Sequence, residues 1–238
     1  MRRVLRALAG VLFDPFRTLI VQMEGRLGIL LRRFYYRLRL GSMGRGVRIE
    51  PGVLIANPGS VHLGDRVWID RGVMLVAGNN PDDARSHKRL MRGPDVPPGV
   101  LRVGSRCHSA AGVVIQGHGG VSIRSDLTIA AESKIYSLSH HYMNPDDPSD
   151  TTTYSFVGLV ADDRQFMISG PVVVGDNAAV CMNTILLPGS RVGENAWLAA
   201  GSVLKGEVPA GCVARGNPAR MVKFRPGFER PHVRKERG

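Results

Sequence analysis

An aliphatic residue returns at every sixth position from Val174 onward, at Val174, Val180, Leu186, Val192, Leu198 and Leu204. Four places after each comes a small or β-branched residue: Ala178, Thr184, Ser190, Ala196, Ser202 and Val208. A period of six fits neither the 3.6-residue repeat of a helix nor the alternation of a hairpin strand. It is what short flat strands joined by tight turns give when a chain winds as a prism, the aliphatic residue pointing in and the small one filling the turn.

The pattern runs earlier with interruptions. Ile123, Ile129 and Ile135 carry Leu127, Ser133 and Ser139 at the fourth place, and Val103 and Ile115 carry Cys107 and Gly119, with a degenerate hexad at Ser109 between them. Upstream stand Ile49, Ile55, Leu63, Ile69 and Leu75, with Val53, Val67 and Val73 in the small positions. Two slips of two residues, between Ile55 and Leu63 and between Ile115 and Ile123, read as bulged corners. Glycines following the aliphatic residue at Gly64, Gly104, Gly175 and Gly193 suggest turns with unusual backbone angles. A core with 6% aromatics, built from Val, Ile, Leu and Ala, suits a narrow regular interior.

Two segments leave the repeat, residues 78–100 and 141–170. Long loops on a rigid solenoid are where binding function is usually placed. The body is 47–223. Before it, residues 1–46 form a basic segment with helical spacing: Val4, Leu5, Leu8, Val11 and Leu12 on one face, then Leu27, Leu30, Leu31, Phe34 and Tyr35 on another, divided by Asp14-Pro15. After it comes a basic tail, 224–238. The net charge of +12 sits on residues 1–46 and 215–238, while 47–214 is slightly acidic. That distribution argues against a nucleic-acid partner, which asks for a basic stripe on the folded body with aromatics to stack on bases. The basic helical segment either lies on an anionic membrane surface, packs on another subunit, or caps the first coil.

No stretch reaches the roughly 18 apolar residues of a spanning helix. Cys107, Cys181 and Cys212 are odd in number and lack metal-ligand spacing. They predict a reducing, cytoplasmic location and argue against both a disulfide scaffold and a zinc site.

The hexads, and above all Pro171–Arg220 with its "GDNAAVCMNTILLPGSRVGENAWLAAGSVLKGEVPAGCVARGNPAR", resemble the hexapeptide-repeat acyltransferases. The resemblance covers about Ile49 to Lys223. It implies an all-β, left-handed parallel β-helix, a homotrimer with sites between prisms, and acetyl-CoA as co-substrate. It also implies transfer of an acetyl group to a hydroxyl of a saccharide, polysaccharide or lipid-linked sugar.

Matched residue by residue, the family's catalytic His falls on His140 of "IYSLSHHYMNP", with His141 beside it. A neutral imidazole near the acceptor oxygen is the chemistry such a transfer needs. Asp146 or Asp147 is available to orient it. The same matching puts donor contacts at Met182 and Ala200, at Lys205 and Gly206, and at Arg220 and Lys223, the basic residues facing phosphates. By residue type, Tyr142, Asn144 and Asp146 are candidates to grip a sugar.

Other readings stay open: an amino-sugar N-acetyltransferase, an antibiotic acetyltransferase, or a non-catalytic scaffold. A three-His zinc enzyme on this fold is disfavoured, because His108 and His118 are ten apart and His140 and His141 adjacent.

Overall fold

The computed structural model describes residues 16–78, 87–90 as backbone, and 96–229. The expected helical face Val4–Leu12, much of loop 78–100 and the tail beyond Glu229 lie outside these.

The chain winds repeatedly past three sheets of seven, eight and six strands, which form faces 1, 2 and 3 of a prism. Face 1 begins at Ser42–Met43, face 2 at Arg48–Ile49 and face 3 at Leu54–Ala56. Every pairing within them is parallel except the last, where Ala219–Phe224 folds back antiparallel on Cys212–Gly216 to close face 2.

The hexad residues form ladders. On face 3, Leu75, Ile115, Ile135, Leu186 and Leu204 are successive register partners. Each is at most 2% exposed. Burial of such a side chain stabilises by roughly 1.5–3 kcal/mol relative to exposure. All six hexads from Val174 are buried as expected, and so are their partners at the fourth place. Where that partner is a hydroxyl it caps a corner carbonyl: Thr184 Oγ1 donates to Cys181 O at 2.6 Å and Ser202 Oγ to Ala199 O at 2.6 Å. Two expected core positions fall short: Ile55 is only half-buried against the core, and Ser139 is the other. Ser139 is only half-buried, because the chain has already left the coil at Leu138.

The glycines after the aliphatic residues serve a different purpose from the one their sequence suggests. Gly64, Gly104, Gly175 and Gly193 are absent from the left-handed region; the positive φ falls two places later, at Arg66, Arg106, Asn177 and Asn195. What requires glycine is the neighbouring coil. A Cβ on Gly104 would stand 2.7 Å from the Arg124 carbonyl carbon, and one on Gly64 2.7 Å from that of Gly104.

Among the described residues, the insertions into the repeat stack on a single corner, the one joining face 3 to face 1. The 3₁₀ turn Pro58–Ser60, the excursion between Val76 and Leu101, the extra residues at 117–120 and the excursion between Tyr136 and Val172 all lie there. The two long excursions pair with each other. Phe166–Ser169 runs antiparallel to Leu138–His140 and parallel to the backbone of His87–Leu90, a small three-stranded sheet over the corner. The second excursion therefore begins at Leu138, three residues before its expected start.

At the other end of the prism, helix Gly25–Arg37 covers the open first coil. It turns Gly28, Arg32 and Tyr36 inward. Arg32, 0% exposed, donates through Nε to Ile49 O at 2.8 Å and through Nη1 to the carbonyls of Ile20 and Met23. It thereby satisfies the edge of face 2, and its burial lowers its pKa. Of the face read from spacing, Leu27, Leu30 and Phe34 point away from the prism, while Leu31 is half-buried and Tyr35 packs against the core.

Candidate functional site

The excursion that starts at Leu138 is anchored by Ser137, which is fully buried. Its Oγ donates to Gln116 O at 2.6 Å and accepts from Gly119 N at 2.9 Å, while its carbonyl accepts from Gly170 N at 2.9 Å. Exit and return of the chain are thus tied at one point, and His140 follows three residues later on a paired strand.

His140, His141 and Ser139 line one wall of a cleft of about 460 Å³. Lys205 and Gly206, from the same corner two coils further on, line another, with Pro145, Ile168, Leu187 and Pro188 between them. The structure therefore brings together four of the residues singled out in the sequence, from segments 65 positions apart.

The two imidazoles differ in their settings. His141 Nδ1 lies 2.7 Å from the Met143 carbonyl oxygen, so it carries the proton and leaves Nε2 with the lone pair. Its ring stacks on Tyr142 with centroids 4.9 Å apart. His140 packs its ring against Phe156 at 5.4 Å, and its Nδ1 is buried without a hydrogen-bond partner. Neither Asp146 nor Asp147 reaches that nitrogen. Asp147 Oδ1 instead accepts from the Ser149 hydroxyl at 2.6 Å.

Asn144 is engaged within the loop. Its Oδ1 accepts from Asp146 N at 3.0 Å, and its side chain also bonds Asp150. Tyr142 is exposed beside His141, and Phe156, 81% exposed, stands against His140. Phe156, Ile168 and Pro188 were not foreseen, and no period in the sequence points to them.

The remaining expected donor contacts lie elsewhere. Met182 and Ala200 are exposed on the corner joining face 2 to face 3, where Gly201 N donates to Met182 O at 2.9 Å. The terminal turn joins them, Gly216 N donating to Ser202 Oγ at 3.2 Å, and Arg220 follows it on the last strand. Lys223 stands further along that strand, opposite Val213. Within one chain, then, the two sets occupy different corners.

The other described histidines are engaged separately: His62 with Ser42, His108 with Asp70 at 2.9 Å, and His118 with the Gly78 carbonyl at 2.7 Å.

No family model matches the chain. Over 55 residues it is 40% identical to the 2,3,4,5-tetrahydropyridine-2,6-dicarboxylate N-acetyltransferase of Staphylococcus aureus (strain JH9), a match spanning 23% of this chain and 23% of that relative. Among solved structures it resembles a mutant of AntD, an N-acyltransferase from Bacillus cereus, in complex with dTDP and coenzyme A. The TM-score is 0.64 with 19% identity, over 82% of this chain and 89% of the other. It also resembles a hexapeptide-repeat acetyltransferase from Vibrio cholerae complexed with acetyl coenzyme A, with TM-score 0.52 and 18% identity over 93% and 87% of the two chains. The fold of this chain is the one shared by hexapeptide-repeat acyltransferases.

Proposed function

We propose that the chain is an acetyl-CoA-dependent acetyltransferase whose acceptor is a saccharide hydroxyl, wound left-handed and working as a homotrimer. The observation that carries this reading is the cleft in which His140 and His141 face Lys205 and Gly206. AntD, similar in fold, is an N-acyltransferase solved with dTDP and 3-hydroxybutyryl-CoA, and the Vibrio protein was solved with acetyl coenzyme A.

In this reading His140 takes the proton of the acceptor hydroxyl as its oxygen bonds to the thioester carbonyl carbon. The C–S bond then breaks, and the imidazolium returns its proton to the leaving thiolate. Transfer is direct. Burial pushes the Cys107 thiol up to about 11 and raises that of Cys181, so neither supplies a ready thiolate nucleophile. His141 is the second reading for the base, favoured by the Met143 bond that sets its tautomer. For the acceptor the second reading is an amino sugar, favoured by AntD, a form of which was solved with dTDP-4-amino-4,6-dideoxyglucose.

Assembly would unite the two corners. The outward side chains of face 3 are mostly apolar, among them Leu54, Met74, Val114, Ile185 and Val203, whereas face 1 presents His62, Arg102, Arg191 and Glu207. An apolar sheet face of that extent fits contact with another copy. Packed there, a neighbour would wall the cleft and bring its own Met182, Ala200, Arg220 and Lys223 toward this chain's His pair.

The test is thiol release from acetyl-CoA with matched hydroxyl and amino sugars, for the wild type, His140→Ala and His141→Ala. Acceptor-dependent release abolished in His140→Ala supports the first reading. Loss only in His141→Ala moves the base by one residue, and release with amines alone selects N-acylation. Absence of both release and acetyl-CoA binding by calorimetry overturns the enzyme.

A further inference from the structure

Helix Gly25–Arg37 is built inside out. The residues facing the prism include an arginine and a glycine, while Leu27, Leu30, Phe34 and, just past its end, Leu38 are each more than 60% exposed. Their spacing of three and four residues sets them in one stripe along the side opposite Gly28, Arg32 and Tyr36. Arg26, Arg33 and Arg37 follow the same spacing and form a band along one flank of that stripe. The preceding helical residues 16–22 repeat the combination, with Phe16 and Leu19 exposed beside Arg17.

The inward side is already held, by Tyr36 in the hydrophobic core and by Arg32, which bonds the sheet edge at Ile49 O and the Ile20 carbonyl. Gly28 lets it close up on the Met23 carbonyl, which a Cβ would strike. Capping therefore does not explain the leucines. A single acid, Glu24, stands in residues 16–40, and it is paired with Arg71 at 2.7 Å. The surface around the stripe is thus apolar and cationic, with no exposed carboxylate left uncompensated.

We propose that this helix is an interfacial anchor that lays Leu27, Leu30, Phe34 and Leu38 into the headgroup region of an anionic membrane, with Arg26, Arg33 and Arg37 on the lipid phosphates. The stripe supplies the buried apolar area and the arginine band the attraction to negative lipid, the two contributions such helices combine. The inference is independent of the reaction assigned above.

The experiment is flotation of the full chain with vesicles of phosphatidylcholine alone and of phosphatidylcholine with phosphatidylglycerol. Wild type, Leu30→Asp/Phe34→Asp and Arg26→Gln/Arg33→Gln are compared, with thermal melting to show that the exposed substitutions leave the fold intact. The expected result is binding to the anionic vesicles only, cut by at least about tenfold in the apolar variant and weakened by added salt in the wild type. No binding to anionic vesicles overturns the proposal. So does binding that the Leu30→Asp/Phe34→Asp change leaves intact. If the same variant lowers the sedimenting mass of lipid-free protein, the stripe is a contact between copies and the proposal fails.

Discussion

The corners joining face 2 to face 3 and those joining face 3 to face 1 are cut from the same hexad, yet they have diverged completely. The first kind stays short in coil after coil, down to Ala199–Gly201. The second holds the 3₁₀ turn, the extra residues at 117–120 and both long excursions. A corner can lengthen freely so long as the next strand returns in register, because only the ladder residues carry the core. Concentrating every insertion on one corner leaves the ladders of all three faces unbroken. It also stacks the added chain into a local structure able to hold a site.

If that division is right, the largest effect on activity comes from the excursion and leaves stability untouched. His140→Ala is expected to lower turnover roughly a hundred- to ten-thousandfold, with the midpoint of thermal unfolding within error of the wild type. A parallel fall in melting temperature would mean that His140 holds the corner together.

The ladder should behave in the opposite way. Leu186→Ala removes a fully buried side chain between Ile135 and Leu204 and is expected to cost about 2–5 kcal/mol of stability. Any activity that survives at low temperature should keep the wild-type KM. A smaller loss, under about 1 kcal/mol, would show that neighbouring coils close over the gap and that the prism is softer than its packing indicates.

Ser137 stands at the junction of the two regions. Ser137→Ala removes the donor to the part-buried Gln116 O and the acceptor of the buried Gly119 N, and is expected to cost about 1–3 kcal/mol. Unlike Leu186→Ala it should also shift KM, since the cleft wall begins at Ser139. Chemical denaturation and steady-state kinetics on the same preparation separate the two effects.

How much of this could be read in advance follows the same line. Ladder positions were legible because burial forces a strict period, and Val174 to Leu204 showed it without a slip. The His pair was legible through its place at the end of the Ile135 hexad. The glycines were misjudged: a tight turn and a tight neighbour both select glycine, and sequence alone does not tell Gly104's coil contact from Gly112's positive φ. The attachment of the helix was left open among membrane, subunit and first coil, because the role of Arg32 depends on carbonyls 9 to 17 residues away. Phe156, Pro188 and the pairing between excursions were not legible, because they depend on how irregular chain settles over the corner and no period governs it.

The smallest effect tests whether the excursion is a separate unit at all. Asp150 accepts from Thr152 N at 2.9 Å and from the Tyr154 hydroxyl at 2.7 Å. The Thr152 side chain first, then the Tyr154 hydroxyl and then Thr152 N lower its pKa to about 2. Because the folded value lies below the usual carboxylate value of about 3.9, the contribution is present above that value and is lost as pH falls toward about 2. Asp150 is in contact with solvent, so the contribution is small and local. Tyr154 packs edge-on against Phe166 at 5.2 Å, which makes its near-ultraviolet dichroism the natural readout. Between about pH 4 and pH 2 that signal should fade while the far-ultraviolet β signal of the prism holds, and Asp150→Asn should show part of the loss already at neutral pH. Were the two signals to fall together at every pH, the excursion would belong to the cooperative unit of the ladders, and the corner would be part of the scaffold it was taken to decorate.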